Sequence, residues 1–237
     1  MRTDGSKPLP MPSPGIQRET LQFLSELNKN NNREWFEVHR EAYQKARQDM
    51  IVFCDSLVQA LRLHDQVLPP KHFRIYRDLR FSKDKTPYKP HFAASFAREG
   101  AHLRGGYYLR IRPGESLIAC GFWKPNKEDL YRIRKELETD ATDFREVLSK
   151  PSLKKSWGGL KGEAVKTAPK GFDREHPEID LLRHKQFIFV RSFSDREVLE
   201  PGFLHTVDGC FRDIRPFFDL MSDILTTDLN GQSLLDQ

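Results

Sequence analysis

Apolar residues in the amino-terminal part of the chain recur with the three- or four-residue period of a helix. A short first helix is predicted to end at the asparagine-rich run of residues 28–32. Asn31, followed three residues later by Glu34, resembles a capping box and predicts the start of a longer second helix. The apolar positions are Leu21, Phe23, Leu24 and Leu27 in the first helix, and Trp35, His39, Tyr43, Ala46, Met50, Phe53, Leu57 and Leu61 in the second. Each helix is therefore expected to bury one face.

The middle of the chain changes to the pattern of β-strands. Three short segments, residues 91–98, 106–112 and 117–123, are aromatic or β-branched and bounded by glycine or proline. Pro113 and Gly114 predict a hairpin turn between the last two. Because side chains alternate along a strand, one face of this hairpin would carry Tyr107, Leu109 and Ile111, and the other Tyr108, Arg110 and Arg112.

The later part of the chain returns to helical patterns around one further strand. Two helices are predicted after Asn126, followed by a glycine- and lysine-rich loop over residues 158–171 with a brief strand near Val165. Residues 186–193 are apolar on both faces, which is typical of a central strand covered on both sides. A long closing helix over residues 203–225 is expected to kink at Pro216.

These elements predict an α+β fold. We expect a single domain with a largely antiparallel sheet of about four to six strands, packed with amino-terminal and carboxyl-terminal helices. The domain is predicted over residues 16–225, between a disordered proline-rich tail at 1–15 and a polar tail at 226–237.

Composition places this domain inside the cell. No apolar run approaches the roughly 18 residues that a membrane helix needs, and the amino terminus lacks the apolar core of a signal peptide. The chain has three cysteines, Cys54, Cys120 and Cys210, an odd number that argues against a disulfide framework. A cytoplasmic location is expected, with the nucleus as an alternative, and Cys54 and Cys210 are expected in the core.

The positive charge is confined to one segment. The chain has 39 Lys plus Arg and 34 Asp plus Glu, a net charge of +5. Residues 71–89 alone contain seven cations and two anions, also +5, so the rest of the chain is balanced. The cations are Lys71, Arg74, Arg77, Arg80, Lys83, Lys85 and Lys89. This pattern indicates a globular domain with one basic segment rather than a polybasic protein.

The chemistry of the segment suits anions. Guanidinium groups bind carboxylate or phosphate oxygens through paired hydrogen bonds, and Asp78 and Asp84 are candidates to orient them. The three-residue spacing of the arginines fits one face of a helical turn as well as an extended chain. Interleaved aromatic residues place some of the cations beside apolar packing. They are Phe73, Tyr76, Phe81 and Tyr88.

The same segment resembles a known family. The signature is carried by Arg74, Arg77, Asp78, Arg80, Phe81, Lys85 and Tyr88, and it is similar to the family catalogued as domain of unknown function 2461. The stretches at residues 30–36, 121–125 and 169–183 are also similar to that family. The resemblance covers about residues 16–225 and supports a single domain. Because the family is uncharacterised, the resemblance implies no activity, cofactor or catalytic residue.

The leading hypothesis is a pocket for an anionic, phosphate-bearing small molecule, formed by the basic segment with Arg110 or Arg112 from the sheet. The predicted ligand-binding residues are Arg74, Arg77, Asp78, Arg80, Lys85, Tyr88, Arg110 and Arg112. If the protein is an enzyme, His91 or His176 is the predicted proton-transfer residue. The histidines show no recognised ligand spacing, so no metal site is predicted, and no cofactor is implied.

Two rival hypotheses use the same residues differently. In a nucleic-acid-binding module, the cations would follow phosphates while Tyr76, Tyr88 or Trp157 stacked on bases. Trp157, between lysine and glycine pairs, is expected in an exposed loop. In a structural or partner-binding domain, the arginines would instead pair internally with carboxylates such as Asp78 and Glu34. The spacing of the residues leaves all three hypotheses open.

Overall fold

An antiparallel sheet forms the centre of the molecule in the computed structural model, which describes residues 15–228 and 231–235. Within these residues the strands are β1 (Lys71–His72), β2 (Phe92–Ala97), β3 (Gly106–Ile111), β4 (Ser116–Phe122) and β5 (Phe187–Phe193). They lie side by side in chain order, and every neighbouring pair is antiparallel. The predicted single α+β domain with an antiparallel sheet is confirmed. The proline-rich tail predicted at residues 1–15 lies, except for Gly15, outside the described residues.

Helices precede, interrupt and follow the sheet. The first group is α1 (Arg18–Lys29), α2 (Arg33–Val38) and α3 (Arg40–Leu61). Between β4 and β5 lie α4 (Lys127–Thr139), α5 (Thr142–Ser149), α6 (Pro151–Trp157) and α7 (Ile179–Leu182). The last group is α8 (Asp195–Val198), α9 (Phe203–Asp213) and α10 (Arg215–Thr226). Among the described helices, none has both the length and the apolar character needed to cross a bilayer.

The second predicted helix is two helices with a break at His39. The ring of His39 stacks on Trp35 with centroids 3.9 Å apart, and its Nδ1 bonds to the carbonyl oxygen of Trp35 at 2.8 Å. Such a side-chain bond to the backbone competes with the regular helix. The predicted cap was also wrong by one residue, since it is Asn32 that accepts a hydrogen bond from the Trp35 N–H. Asn31 has a different role, described below.

The helices pack on one face of the sheet. Tyr107, Leu109 and Ile111 are buried on that face, while the alternate residues of β3 are half-buried on the other, as predicted. Rings from the carboxyl-terminal helices complete the core, with Phe211 and Phe218 at 4.7 and 5.1 Å from the ring of Tyr107. The apolar alternation of β3 therefore sets which face receives the helices, and it leaves Arg110 and Arg112 on the opposite face.

Strand β5 is an edge strand, not the central strand that its apolar pattern predicted. Its outer edge is partly covered by Lys161, which exchanges two backbone hydrogen bonds with Ile188 at 2.7 and 3.1 Å. Ile188, on the second face of this strand, is nevertheless buried, which accounts for the apolar pattern. Around Val165 there are only isolated bridges, at Lys161 and Ala164, in place of the predicted brief strand.

The carboxyl-terminal helices confirm the predicted kink. The predicted exposure of Trp157, which packs beside them, is wrong. The chain breaks between α9 and α10 at Ile214, just before Pro216. Trp157, expected in an exposed loop, ends α6 and is only 3% exposed. Its indole N–H donates to the carbonyl oxygen of Cys210 at 2.9 Å, which satisfies the buried donor. All three cysteines are buried and free.

Candidate functional site

The basic segment forms an irregular hairpin beside the edge strand β1. We call residues 73–91 the basic hairpin. Tyr76 pairs with Tyr88 across it, and backbone bonds join Arg77 to Pro87 at 2.9 Å and Lys89 to Ile75 at 2.8 Å. The arginines are therefore neither on a helical turn nor on a regular strand. The two arms meet the domain at one end and carry a polar tip at the other.

Asn31 fixes the base of the basic hairpin to the helices. Its side-chain amide donates to the carbonyl oxygen of Tyr88 at 2.9 Å and accepts from the Tyr88 N–H at 3.1 Å. The ring of Tyr88 stacks on Phe36, with centroids 4.0 Å apart, and the residue is 3% exposed. Two stretches of the family signature, far apart in sequence, thus meet at one anchor.

The tip of the basic hairpin is organised by internal ion pairs. Arg77 binds Asp84 and donates to the hydroxyl of Thr86 at 2.6 Å. Hydrogen bonds from Thr86, followed by the one from Arg77, lower the pKa of Asp84 to about 2. Arg80 pairs with Asp78 at 2.6 Å, so both aspartates orient an arginine.

The arms border a cleft of about 470 Å³, which we call the Arg77 cleft. Three of its lining side chains are cationic and come from both arms and the end of β3: Arg77, Lys89 and Arg112. The rest of the lining is Asn28, Asn31, Asp84, Thr86, Pro90 and His91. Asp84 is thus the one carboxylate among the described lining residues, and it is bound by Arg77.

His91 lies in the positive field of this cleft. Burial lowers the pKa of His91 to about 4, and the charges of Arg110, Lys89 and Arg112 lower it further in that order. The imidazole is therefore neutral at pH 7. Its Nδ1 is buried and has no hydrogen-bond partner among the described residues. Arg110 does not line the cleft, yet its charge acts on His91.

Glu115 partly balances the two arginines of β3. It lies 3.3 Å from Arg112 and 3.8 Å from Arg110, and it is half exposed. Arg110 also donates to the backbone carbonyl oxygen of Glu115 at 3.0 Å, while its own Nε is buried without a partner among the described residues. An exposed pair of this kind is weak and exchanges readily with other anions.

A second depression of about 330 Å³, the Arg74 pocket, lies between the basic hairpin and α3. Its cations are Arg74 and Arg47, and its walls are mainly aromatic. The predicted set of arginines is thus divided. Arg77 and Arg112 meet in the Arg77 cleft, Arg74 belongs to the other pocket, and Arg80 lies at the tip.

The remaining predicted residues lie outside both depressions. Asp78 is paired at the tip, and Lys85 donates there to the carbonyl oxygen of Leu79 at 3.1 Å. Tyr88 is packed on Phe36. His176 lies in the turn before α7, where its Nδ1 accepts from the Glu178 N–H at 3.1 Å.

Several residues that line the two depressions were not in the predicted site, among them Asn28, Asn31, Lys89 and Arg47. The asparagine run and the position of Lys89 inside the basic segment were available signals for the first three. Arg47 gave no signal, since it is one of many charged residues on a helix. In the described part of the chain, no group of three or more His, Cys, Asp or Glu is placed to hold a metal ion.

The fold and the hairpin together define an α+β domain with a basic segment anchored beside the edge of its sheet. The chain belongs to the conserved hypothetical protein family called domain of unknown function 2461, whose sequence profile matches residues 19–220. The resemblance drawn from the signature residues is thereby confirmed. A search of the curated proteins gives no match.

Proposed function

We propose that this protein binds an anionic, phosphate-bearing small molecule in the Arg77 cleft. The observation that carries the proposal is the convergence of Arg77, Lys89 and Arg112 on one cleft. Asp84 offsets one of these charges, so three cations and one anion leave the lining with a net charge of +2. A cleft with a net positive charge attracts anions.

The donors in the cleft match the chemistry of phosphate. Arg112 offers a planar fork and Lys89 a compact ammonium group, which are two common ways to bind phosphate oxygens. Arg77 is already bonded to Asp84 and Thr86, so in this proposal it shapes the tip and supplies charge. Asn28 and Asn31 add side-chain amides.

His91 is the proton-transfer candidate in this proposal. It is neutral at pH 7 and lines the cleft, whereas His176 does not. If a bound ligand reacts there, the proton would therefore pass to or from His91 rather than His176. We also propose an intracellular location, which the three free cysteines support.

Titration with inorganic pyrophosphate tests the proposal. Lys89→Gln and Arg112→Gln should each weaken binding about tenfold, the usual cost of losing one charge-assisted hydrogen bond. Arg80→Gln is the matched control, because it removes the same charge at the tip and should leave the affinity unchanged. Calorimetry measures all four proteins. The proposal is wrong if the wild type shows no saturable binding, or if Arg80→Gln weakens it equally.

A nucleic-acid ligand is the rival outcome of the same experiment. Binding of nucleic acid is favoured by three exposed aromatic rings that could stack on bases. They are Phe73, Tyr76 and Phe81, which are 42%, 48% and 95% exposed. Tyr88 and Trp157, two of the residues expected to stack, are instead buried. A nucleic-acid binder would hold a single-stranded oligonucleotide more tightly than pyrophosphate, with affinity falling steeply with salt and lowered by Arg80→Gln as well.

A further inference from the structure

The Arg74 pocket differs from the Arg77 cleft in the state of its cations. Arg47 comes from α3 and Arg74 from the basic hairpin, and both are exposed. In the described part of the chain, neither guanidinium is ion-paired or hydrogen-bonded through its side chain. Asp78 is bound by Arg80, whose hydrogen bonds lower the pKa of Asp78, and the charge of Arg74 adds only a smaller effect. Two arginine forks are therefore available to one ligand.

No acidic side chain opposes them. None of the described residues that line the pocket is an aspartate or glutamate. Burial lowers the pKa of His72, so this lining residue is neutral at pH 7, although Asp55 acts in the opposite direction. Burial likewise raises the pKa of Tyr43, which keeps its hydroxyl protonated and able to donate. The pocket thus holds two cations, a neutral imidazole and two phenols.

The walls are aromatic and held in place. Tyr43 packs against Phe36 and Phe92 with centroids 5.0 and 6.2 Å apart. Tyr76 packs against Phe36 and Tyr88 at 6.0 and 5.4 Å. Nevertheless 48% of Tyr76 remains exposed, so a ring surface stays open beside the unpaired arginines. Rings fixed by their neighbours lose little conformational entropy when a ligand covers them.

Size and lining together define the ligand. A volume of about 330 Å³ lies at the lower end of the roughly 300–1,000 Å³ that small-molecule pockets occupy. A bare inorganic ion would leave most of the aromatic wall uncovered, and a neutral ring would leave both arginines without a partner. We infer that the Arg74 pocket is a second binding site, for a planar aromatic molecule that carries a carboxylate or a phosphate. The acidic group meets Arg47 and Arg74, and the ring lies against Tyr76.

Four probe molecules test separately whether binding requires the acidic group and the aromatic ring. Binding of 2-naphthoate and 1-naphthyl phosphate to the full chain, measured by calorimetry, distinguishes a carboxylate from a phosphate. The neutral 2-naphthylmethanol lacks the charge, and acetate lacks the ring. At least one aryl anion should bind at least tenfold more tightly than either control. Failure of both aryl anions to bind saturably, or equal binding of the neutral analogue, overturns the inference.

Matched variants locate the site. Arg47→Gln and Arg74→Gln should each weaken binding of the aryl anion about tenfold. Lys71→Gln removes an exposed cation next to the pocket and should leave the affinity unchanged. Because Arg47 and Arg74 are exposed, these variants should fold normally, which circular dichroism checks. Equal loss in Lys71→Gln would show that the probe binds elsewhere. The result does not depend on pyrophosphate binding in the other cleft.

Discussion

His91 is a side chain whose protonation is controlled by its neighbours. Between pH 6.5 and about 4 the folded protein keeps this imidazole neutral, whereas the unfolded chain takes up a proton. The contribution of neutral His91 to the stability of the fold is therefore complete above pH 6.5, and it is lost as the pH falls from 6.5 to about 4. An anion in the Arg77 cleft would offset the surrounding cations and raise the pKa of His91, so binding and protonation are coupled.

We expect sulfate, which does not titrate in this range, to bind more tightly as the pH falls from 7 to 5. The reason is that the bound anion lets His91 take up a proton. In His91→Gln this pH dependence should become flatter, as measured by sulfate titration at several pH values. His102→Gln removes an exposed histidine and should keep the wild-type dependence. A wild-type affinity that does not change with pH would contradict the coupling.

At the scale of elements, the basic hairpin depends on one side chain from another part of the chain. Asn31 satisfies both backbone groups of Tyr88. The hairpin is short and irregular, and its tip is held mainly by exposed ion pairs that stabilise little on their own. Its position, and with it both depressions, therefore follows from the anchor between α1 and α2.

Replacing Asn31 by alanine should loosen the hairpin without unfolding the domain. The two lost hydrogen bonds leave buried backbone groups unpaired, at a cost of about 2 kcal/mol. Hydrogen exchange should become faster at the Arg77 and Lys89 amides, which bridge the arms, and stay unchanged in β3. Asn28→Ala, an exposed residue of α1, is the control. Unchanged exchange at both amides in Asn31→Ala would exclude the anchoring role.

At the scale of the whole molecule, a buried polar cluster joins distant parts of the chain. Arg98 is fully buried and pairs with Asp65, which follows α3, and with Asp219 in α10, both at 3.0 Å. The hydroxyl of Tyr107 donates to Asp65 at 2.5 Å. Burial, then the charge of Asp65, raises the pKa of Tyr107 far above its ordinary value. Arg98, Asp65 and the Tyr107 hydroxyl are each hydrogen-bonded, as buried polar groups in a stable core must be.

Removing Arg98 should destabilise the entire domain, because Asp65 would lose its fully buried cationic partner and keep the partly exposed Arg215 at 3.2 Å and the hydrogen bond from Tyr107. For Arg98→Met we expect a loss of about 3 kcal/mol in the free energy of unfolding. Arg80→Met removes an arginine that is 77% exposed and should cost under about 1 kcal/mol. Urea denaturation measures both variants. Similar midpoints for the two would refute a central role of the cluster.

Much of the fold was determined by the sequence alone. The alternation of Tyr107, Leu109 and Ile111 fixed the faces of the sheet, because each strand residue points opposite to its neighbours. Helical periodicity located α1, and the break before α10 followed from Pro216. Such patterns depend only on residues close together in sequence, so they can be recognised without knowing which surface packs against the element.

The tertiary structure decided the features that depend on residues far apart. It placed β5 at an edge, although residues on both faces of the strand are buried, because the order of strands in a sheet is set by long-range pairing. It buried Trp157 against Cys210, which no neighbour in sequence reveals. For the candidate site, the sequence located the cations in one segment. Only the fold divided them between two depressions, because each depression is completed by residues far away in sequence, such as Arg112 in the Arg77 cleft and Arg47 in the Arg74 pocket.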